Sequence, residues 1–132
     1  MTKSMSHLAE AVRYESTLQL HSSVYPTVSY RIRRPSFLRR SQLISQVREL
    51  GRSLQFLEAS PDIVEKLEAV RTRTEINRLY LQWGLESISG LLVDGEAATV
   101  ELLLAKGPED LTNEILEQIK RQCSLSEPEI KN

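Results

Sequence analysis

Residues that could carry acid, base or nucleophilic chemistry are few and scattered. The chain of 132 residues has two histidines, His7 and His21, and one cysteine. A hydrolytic triad or a histidine-rich metal site needs a positioned imidazole, and neither histidine lies in a motif that would supply one. The nucleotide-binding fingerprints GxGxxG and GxxxxGK[ST] do not occur. We therefore predict no catalytic residues, no cofactor-binding residues and no metal site.

The carboxylates of the second half and the single thiol have structural interpretations. Glu114 and Glu117 fall between the apolar positions of the last helical segment, which favours a solvated face over an acid/base pair. Cys123 lies near the end of that segment, where the negative end of a helix disfavours a thiolate. One cysteine allows no intrachain disulfide, which fits a reducing compartment.

The sharpest chemical pattern is a cluster of arginines in segment 31–52. Tyr30 and Phe37 are interleaved with seven arginines in 22 residues, namely Arg31, Arg33, Arg34, Arg39, Arg40, Arg48 and Arg52. Guanidinium groups bind phosphates well, so this segment could follow a nucleic-acid backbone, as in a small regulator. Alternatively, these arginines pair with the acidic second half or with an acidic partner. We favour the second interpretation, because dedicated nucleic-acid domains are usually basic overall and this chain has a net charge of −1.

Charge is unevenly divided along the chain. Residues 1–60 contain nine Lys/Arg against four Asp/Glu, a net of +5, and residues 61–132 contain eight against fourteen, a net of −6. Such a chain can attract its own other half, a second copy or a charged partner. The start lacks the apolar core of a signal peptide, and no apolar run approaches the length that crosses a bilayer. We expect a cytoplasmic protein without membrane contact, and one domain over residues 1–132.

The elements that position these side chains begin with a predicted hairpin. Residues 1–15 are polar with one weak apolar cluster and form a short helix or a loose terminus. Apolar residues then alternate with polar ones in two runs, at Leu18, Leu20, Val28, Tyr30 and Ile32. This period of two predicts an antiparallel hairpin whose longish loop contains Pro26. Its apolar face must pack against the helices that follow.

Two long helices are predicted next. The first begins at Phe37 behind a Ser36 cap, and its apolar stripe consists of Leu43, Val47, Leu50, Leu54 and Leu57. The second should run over residues 62–83 and carries two apolar groups on nearly opposite faces. The first group is Ile63, Leu67 and Val70, and the second is Ile76, Leu79, Tyr80 and Trp83. Either this helix kinks around residues 71–74, or its two ends contact different partners.

From these features we predict a protein-binding surface and self-association. One apolar group of the second helix can remain for an intermolecular contact, because one neighbour cannot cover both. The residues assigned to protein binding are Arg39, Arg40, Ile76, Leu79, Tyr80 and Trp83.

The stretch 83–95 is predicted to be a packed corner. It holds the only tryptophan, Trp83, and three of the five glycines. Residues 88–93 are short and apolar, which indicates a strand or extended segment that ends at an Asp94-Gly95 turn. A helix from Val100 to Lys106 follows, and a last long helix opens at Pro108 with a core face of Leu111, Ile115, Leu116 and Ile119. Residues 124–132 form a polar tail. The predicted fold class is α+β and mostly α-helical.

The order of these parts resembles a known family. Tyr30-Arg31-Ile32-Arg33-Arg34-Pro35-Ser36 ends the hairpin, Gly90-Leu91-Leu92-Val93-Asp94-Gly95 follows the helical body, and Pro108, Leu111, Glu114 and Ile115 recur in the last helix. Over residues 17–123 the chain resembles small tail assembly chaperones of long-tailed bacteriophages. The resemblance implies a non-enzymatic protein of the infected host's cytoplasm. It would bind a long, helical tape measure protein during tail assembly. The alternative within the same resemblance is another phage structural or assembly protein that is retained in the particle.

Overall fold

The computed structural model describes residues 10–123. The fold is α+β and mostly helical, with a β-hairpin before the helices, as predicted. Its helices are α1 (Phe37–Ala59), α2 (Ile63–Gly84), α3 (Val100–Lys106) and α4 (Glu109–Cys123). Its strands are β1 (Thr17–His21), β2 (Ser29–Arg33), β3 (Leu85–Ser89), β4 (Leu92–Val93) and β5 (Glu96–Ala97). Residues 10–16 form no helix, and the predictions for residues 1–9 and for the tail 124–132 lie outside the described residues.

The main sheet is antiparallel, with β2 between β1 and β3. The hairpin of β1 and β2 buries one face, as its alternation predicted: Tyr30 and Ile32 are buried and Arg31 is exposed. β3 follows α2 directly, because Leu85 is both the residue that caps the helix and the first residue of the strand. The two long helices are thus inserted between two strands that pair side by side.

The prediction of one extended segment over residues 88–93 is wrong in its boundaries. The strand starts earlier, at Leu85, and the chain turns at Gly90 before the short β4. Gly90 has a φ of 80°, and a Cβ there would lie 1.8 Å from the carbonyl oxygen of Thr27. Only glycine fits this approach to the β1–β2 loop. The predicted Asp94-Gly95 turn is confirmed, and it joins β4 to β5.

Helices α1 and α2 pack side by side as a helical hairpin, which we call the arm. Ser36 caps α1 by accepting a hydrogen bond from the backbone N–H of Arg39, and Asp62 caps α2 in the same way. The predicted stripe of α1 is turned inward, with Leu43 buried and the other four side chains half-buried. α2 is one continuous helix through residues 71–74, so its two apolar groups meet different surroundings.

The core lies at the base of the arm. Its buried cluster contains Val28, Tyr30, Ile32, Leu43, Leu81, Leu85, Leu103, Leu111, Ile115, Leu116, Ile119 and Cys123. The predicted core face of α4 belongs to this cluster in full. No residue between 48 and 78 does, so the outer half of the arm extends beyond the core with only α1 and α2 packed against each other.

Candidate functional site

The apolar residues predicted to bind protein lie at the edge of the core. Leu79, Tyr80 and Trp83 are half-buried and pack against the buried cluster, and Ile76 is half-buried as well. The ammonium of Lys120 lies 5.3 Å from the centre of the Tyr80 ring, and burial raises the pKa of Tyr80. Much of this apolar surface is therefore already used inside the fold.

The predicted corner at Trp83 is packed, with Trp83 at its rim. The guanidinium of Arg39 lies 5.8 Å from the centre of the indole ring, a cation–π arrangement. Arg33 donates to the carbonyl oxygen of Trp83 at 3.1 Å. Arg40 Nε donates to the carbonyl oxygen of Cys123 at 3.2 Å. The two arginines predicted to bind a partner thus also hold α1 against the corner and the end of α4.

The arginines of segment 31–52 fall mainly into two groups: Arg33, Arg34 and Arg39 line one surface cavity beside Trp83, and Arg40, Arg48 and Arg52 line neighbouring cavities along α1. Arg31 donates to the Thr17 hydroxyl, and Arg34 lies over the Tyr14 ring at 4.9 Å. Arg48 and Arg52 are exposed along α1. Ion pairs between described side chains use other cations, namely Arg73, Arg78, Lys106 and Arg121. Carbonyl oxygens and aromatic rings, rather than the carboxylates of the second half, are the contacts seen for Arg33, Arg34 and Arg39.

Glu114 is not on a solvated face, and that prediction is wrong. Its Oε1 accepts hydrogen bonds from the Ser23 N–H at 2.8 Å, the Ser23 hydroxyl at 2.7 Å and the Ser22 hydroxyl at 3.3 Å. Glu117, by contrast, is exposed and pairs with Arg121. Glu114 therefore fastens α4 to the loop between β1 and β2, and Tyr25 adds a second bond from the same loop to Asp110.

The environment of Glu114 favours its charged form. Burial opposes ionisation, but the hydrogen bonds from Ser23 and Ser22, with a smaller favourable effect of the nearby Tyr30 hydroxyl, outweigh it and hold the pKa of Glu114 below its usual range. At Oε2, which is buried, no described donor meets ordinary hydrogen-bond geometry. Tyr30 is therefore a nearby polar group rather than a well-formed donor, and we take Oε1 as the anchor. Burial and then Glu114 raise the pKa of Tyr30.

The single thiol of the chain, that of Cys123, lies inside the fold. Cys123 is buried, and burial raises the pKa of its thiol to about 11, against a smaller opposite effect of Arg40. The thiol is therefore neutral near pH 7. Within residues 10–123, no three His, Cys, Asp or Glu side chains are grouped so as to hold a metal ion. None of the helices in that part of the chain is long and apolar enough to span a bilayer.

A row of exposed apolar side chains runs along the outer half of α2. We call it the arm stripe, and it consists of Ile63, Leu67 and Val70, with exposed fractions of 68%, 65% and 56%. Their spacings of four and three residues put them on one helical face. Val64, 67% exposed, lies beside them. This is the candidate site.

The same face of α2 is covered at its other end. The spacing continues through Thr74, Asn77, Leu81 and Gly84. Leu81 is fully buried, Gly84 lies against the Ile119 side chain of α4, and Asn77 accepts a hydrogen bond from Lys120. One face of α2 is therefore buried under α4 at the base and bare toward the tip.

Sequence reasoning recognised both apolar groups of α2 but assigned protein binding to the second. The sequence does contain a signal for the first group. From Ile63 to Gly84 the spacing alternates between four and three residues without a break, which puts the first group on the same helical face as Leu81. The polar Thr74 and Asn77 in the middle obscure it. Which group is covered depends on α4, which begins 25 residues after α2 ends.

Comparison with known proteins adds no relative to this description. No family model, curated protein or solved structure matches the chain.

Proposed function

We propose that this protein is a non-enzymatic assembly chaperone that binds a helical protein partner. The model for this activity is the tail assembly chaperone of long-tailed phages, with the tape measure protein as partner. The observation that carries the proposal is the arm stripe, a row of exposed apolar side chains along the outer half of α2.

Physical reasoning connects such a row to a binding role. Single exposed apolar residues are common on protein surfaces. Several on one helical face form a continuous apolar strip, which a partner can remove from contact with water. An apolar strip with a period near 3.5 residues matches the strip of another helix, which packs into it by interlocking side chains. The resemblance in the order of parts supports the same activity, because the tape measure protein is largely helical.

Co-expression tests the proposal. If the gene lies just upstream of a very long, coiled-coil-rich reading frame, that product is the partner to use. We expect the long protein to aggregate when expressed alone and to remain in solution as a complex that co-elutes with this chain. A long protein that behaves identically with and without this chain would rule the function out.

A further inference from the structure

We infer that the arm stripe docks an apolar helix whose flanking residues are acidic, laid along α2 beyond the end covered by α4. This inference rests on the proposed function and names the chemistry of the partner at that site. Three features of α2 lead to it: the bare apolar row, the charges on either side of the row, and the buried continuation of the same face.

The charges beside the arm stripe are positive on both sides. By helical periodicity, Lys66 and Arg73 border it on one side, and Arg71 borders it on the other, with Arg78 one helical repeat further on. The acidic residues of this helix, Glu65, Glu68 and Glu75, point further from the row. Arg73 and Arg78 make ion pairs with Glu58 and Glu101, but about half of each arginine side chain stays exposed. Lys66 and Arg71, one on each side, are in none of the ion pairs seen between described side chains, so a docked helix meets a cationic rim.

A second copy of α2 is a poor occupant of this surface. Two arm stripes packed face to face, parallel or antiparallel, bring the cationic rims of both copies together. Like charges at the flanking positions of paired helices select against that pairing, and opposite charges select for a different partner. Glutamate or aspartate at the flanking positions of the occupant turns the same rim into an attraction.

The length of the bare face sets the length of the occupant. From Ile63 to Thr74 the helix rises about 16 Å, or roughly three turns. The face then disappears under α4 at Asn77, Leu81 and Gly84. An occupant of about three turns therefore fills the free part and ends where α4 begins to cover α2.

Two synthetic peptides test the site. Both are helical, about 21 residues long to favour helix formation, and have leucines at alternating spacings of four and three; one has glutamates and the other lysines at the flanking positions. Each is dye-labelled at nanomolar concentration and titrated with the protein in about 0.15 M salt, with fluorescence anisotropy as the readout. We expect the glutamate peptide to bind at least about tenfold more tightly than the lysine peptide.

Variants locate the binding. The double change Leu67→Gln and Val70→Gln should lower the affinity for the glutamate peptide at least about tenfold, since it removes apolar contact without touching the core. Phe56→Gln is the matched control, because Phe56 is 72% exposed but lies on the outer face of α1. The affinity of this variant for the glutamate peptide should stay within about twofold of wild type. Lys66→Glu with Arg71→Glu should reverse the preference between the two peptides. Circular dichroism melts check that every variant folds.

Equal affinity for both peptides, no binding of either, or equal loss in the Phe56→Gln control would overturn the inference. The co-expression experiment separates this failure from failure of the proposed function. If Leu67→Gln/Val70→Gln still keeps the long partner in solution, the site is wrong and the chaperone activity stands. If the wild-type protein does not keep the partner in solution, the activity is wrong whatever the peptides show.

Discussion

Glu114 joins two parts of the chain that are 91 residues apart, the last helix and the loop after β1. Three hydrogen bonds to one carboxylate oxygen, two of them from Ser23, hold that loop in place. Hydrogen bonds to a charged acceptor are stronger than bonds between neutral groups. The carboxylate thus contributes most to stability while it is ionised.

We expect Glu114→Gln to lower the free energy of unfolding by about 1 kcal/mol near pH 7, a figure reduced for partial exposure to solvent. The pKa of Glu114 is lowered by folding, so its contribution is fully present above the unfolded value and is lost as pH falls through the folded value. The difference between wild type and variant should therefore shrink below about pH 4.5, the unfolded value. Urea titrations from pH 7 to pH 3 measure it.

Glu117→Gln is the matched control for this prediction. Glu117 lies one turn away on the same helix, and its ion pair with Arg121 is exposed, so its removal should change stability by less than about 0.5 kcal/mol. A Glu114→Gln penalty that stayed constant down to pH 3 would contradict the charged-anchor account.

Gly84 allows α2 and α4 to approach closely. A Cβ at this position would lie 2.5 Å from Cγ2 of Ile119, which is fully buried. We expect Gly84→Ala to destabilise the protein by about 1–3 kcal/mol through overpacking, despite the better helix propensity of alanine. The cost should fall markedly when Ile119→Ala is already present, since that change removes the clashing atoms. Additive costs in thermal or urea unfolding would refute the contact.

At the scale of elements, the arm is stabilised unevenly along its length. Its base joins the core through Leu43 and Leu81, whereas between residues 44 and 80 the one apolar residue that is fully buried is Ala69. Few buried contacts mean a low free energy of local opening. The exposed arm stripe lies in this outer part, where a partner helix could add the missing burial.

Hydrogen exchange should reveal this gradient. We expect the amides of residues 50–70 to exchange through local opening, faster than those of α4, which exchange only on global unfolding. Leu54→Ala, at a half-buried position between the arm helices, should speed exchange in the outer arm and leave α4 unchanged. Uniform protection along α2 in exchange mass spectrometry would contradict a weakly held tip.

At the scale of the whole molecule, the described arginines of segment 31–52 lie mainly in two groups, one beside Trp83 and one along α1. Arg33 and Arg39 contact Trp83 and Arg34 contacts Tyr14, while Arg48 lies further along the exposed side of α1. Nucleic-acid binding by phosphate neutralisation needs several cations along one backbone path. The contacts made inside the fold reduce the number free to do so.

We therefore expect the dissociation constant for duplex or single-stranded DNA to lie above about 1 μM at roughly 0.15 M salt. Non-specific binders have dissociation constants near 10⁻⁴–10⁻⁶ M under such conditions. The double change Arg39→Ala and Arg40→Ala should lower the affinity for a helical protein partner by less than about tenfold, since rim charges mainly alter association rates. Mobility-shift and anisotropy titrations measure both. Tight, arginine-dependent DNA binding at that salt would favour the nucleic-acid regulator instead.

Self-association stays a prediction. If it occurs, the cationic rim requires a surface other than the arm stripe, so Leu67→Gln/Val70→Gln should leave the oligomeric state unchanged. Light scattering at high micromolar concentration gives the mass. If a dimer forms and this double change dissociates it into monomers, the occupant of the arm stripe is a second copy of the chain.

Local sequence signals predict most of the helices and strands and their order along the chain. Ser36 caps a helix at the predicted position, and the short helix α3 has its predicted bounds. The alternation of residues 28–32 and the apolar spacing of α4 predicted which side chains are buried. These signals are short-range: capping hydrogen bonds join residues two or three apart, and a helical or strand period states which side chains face the same way. For the same reason, the sequence yielded the fold class.

Which element covers each helix or strand face depends on contacts between distant parts of the chain. The pairing of β3 with β2 closes over a 51-residue insertion, and the bonds of Glu114 reach residues 91 and 92 positions away. Leu81 is buried and Leu67 is exposed, although both lie on one face of α2, and α4 contacts that face at Asn77 and Gly84. Periodicity fixes the direction of a side chain and carries no information about which distant element reaches it. The candidate site was therefore visible in the sequence as one of two apolar groups, and the structure identified the exposed one.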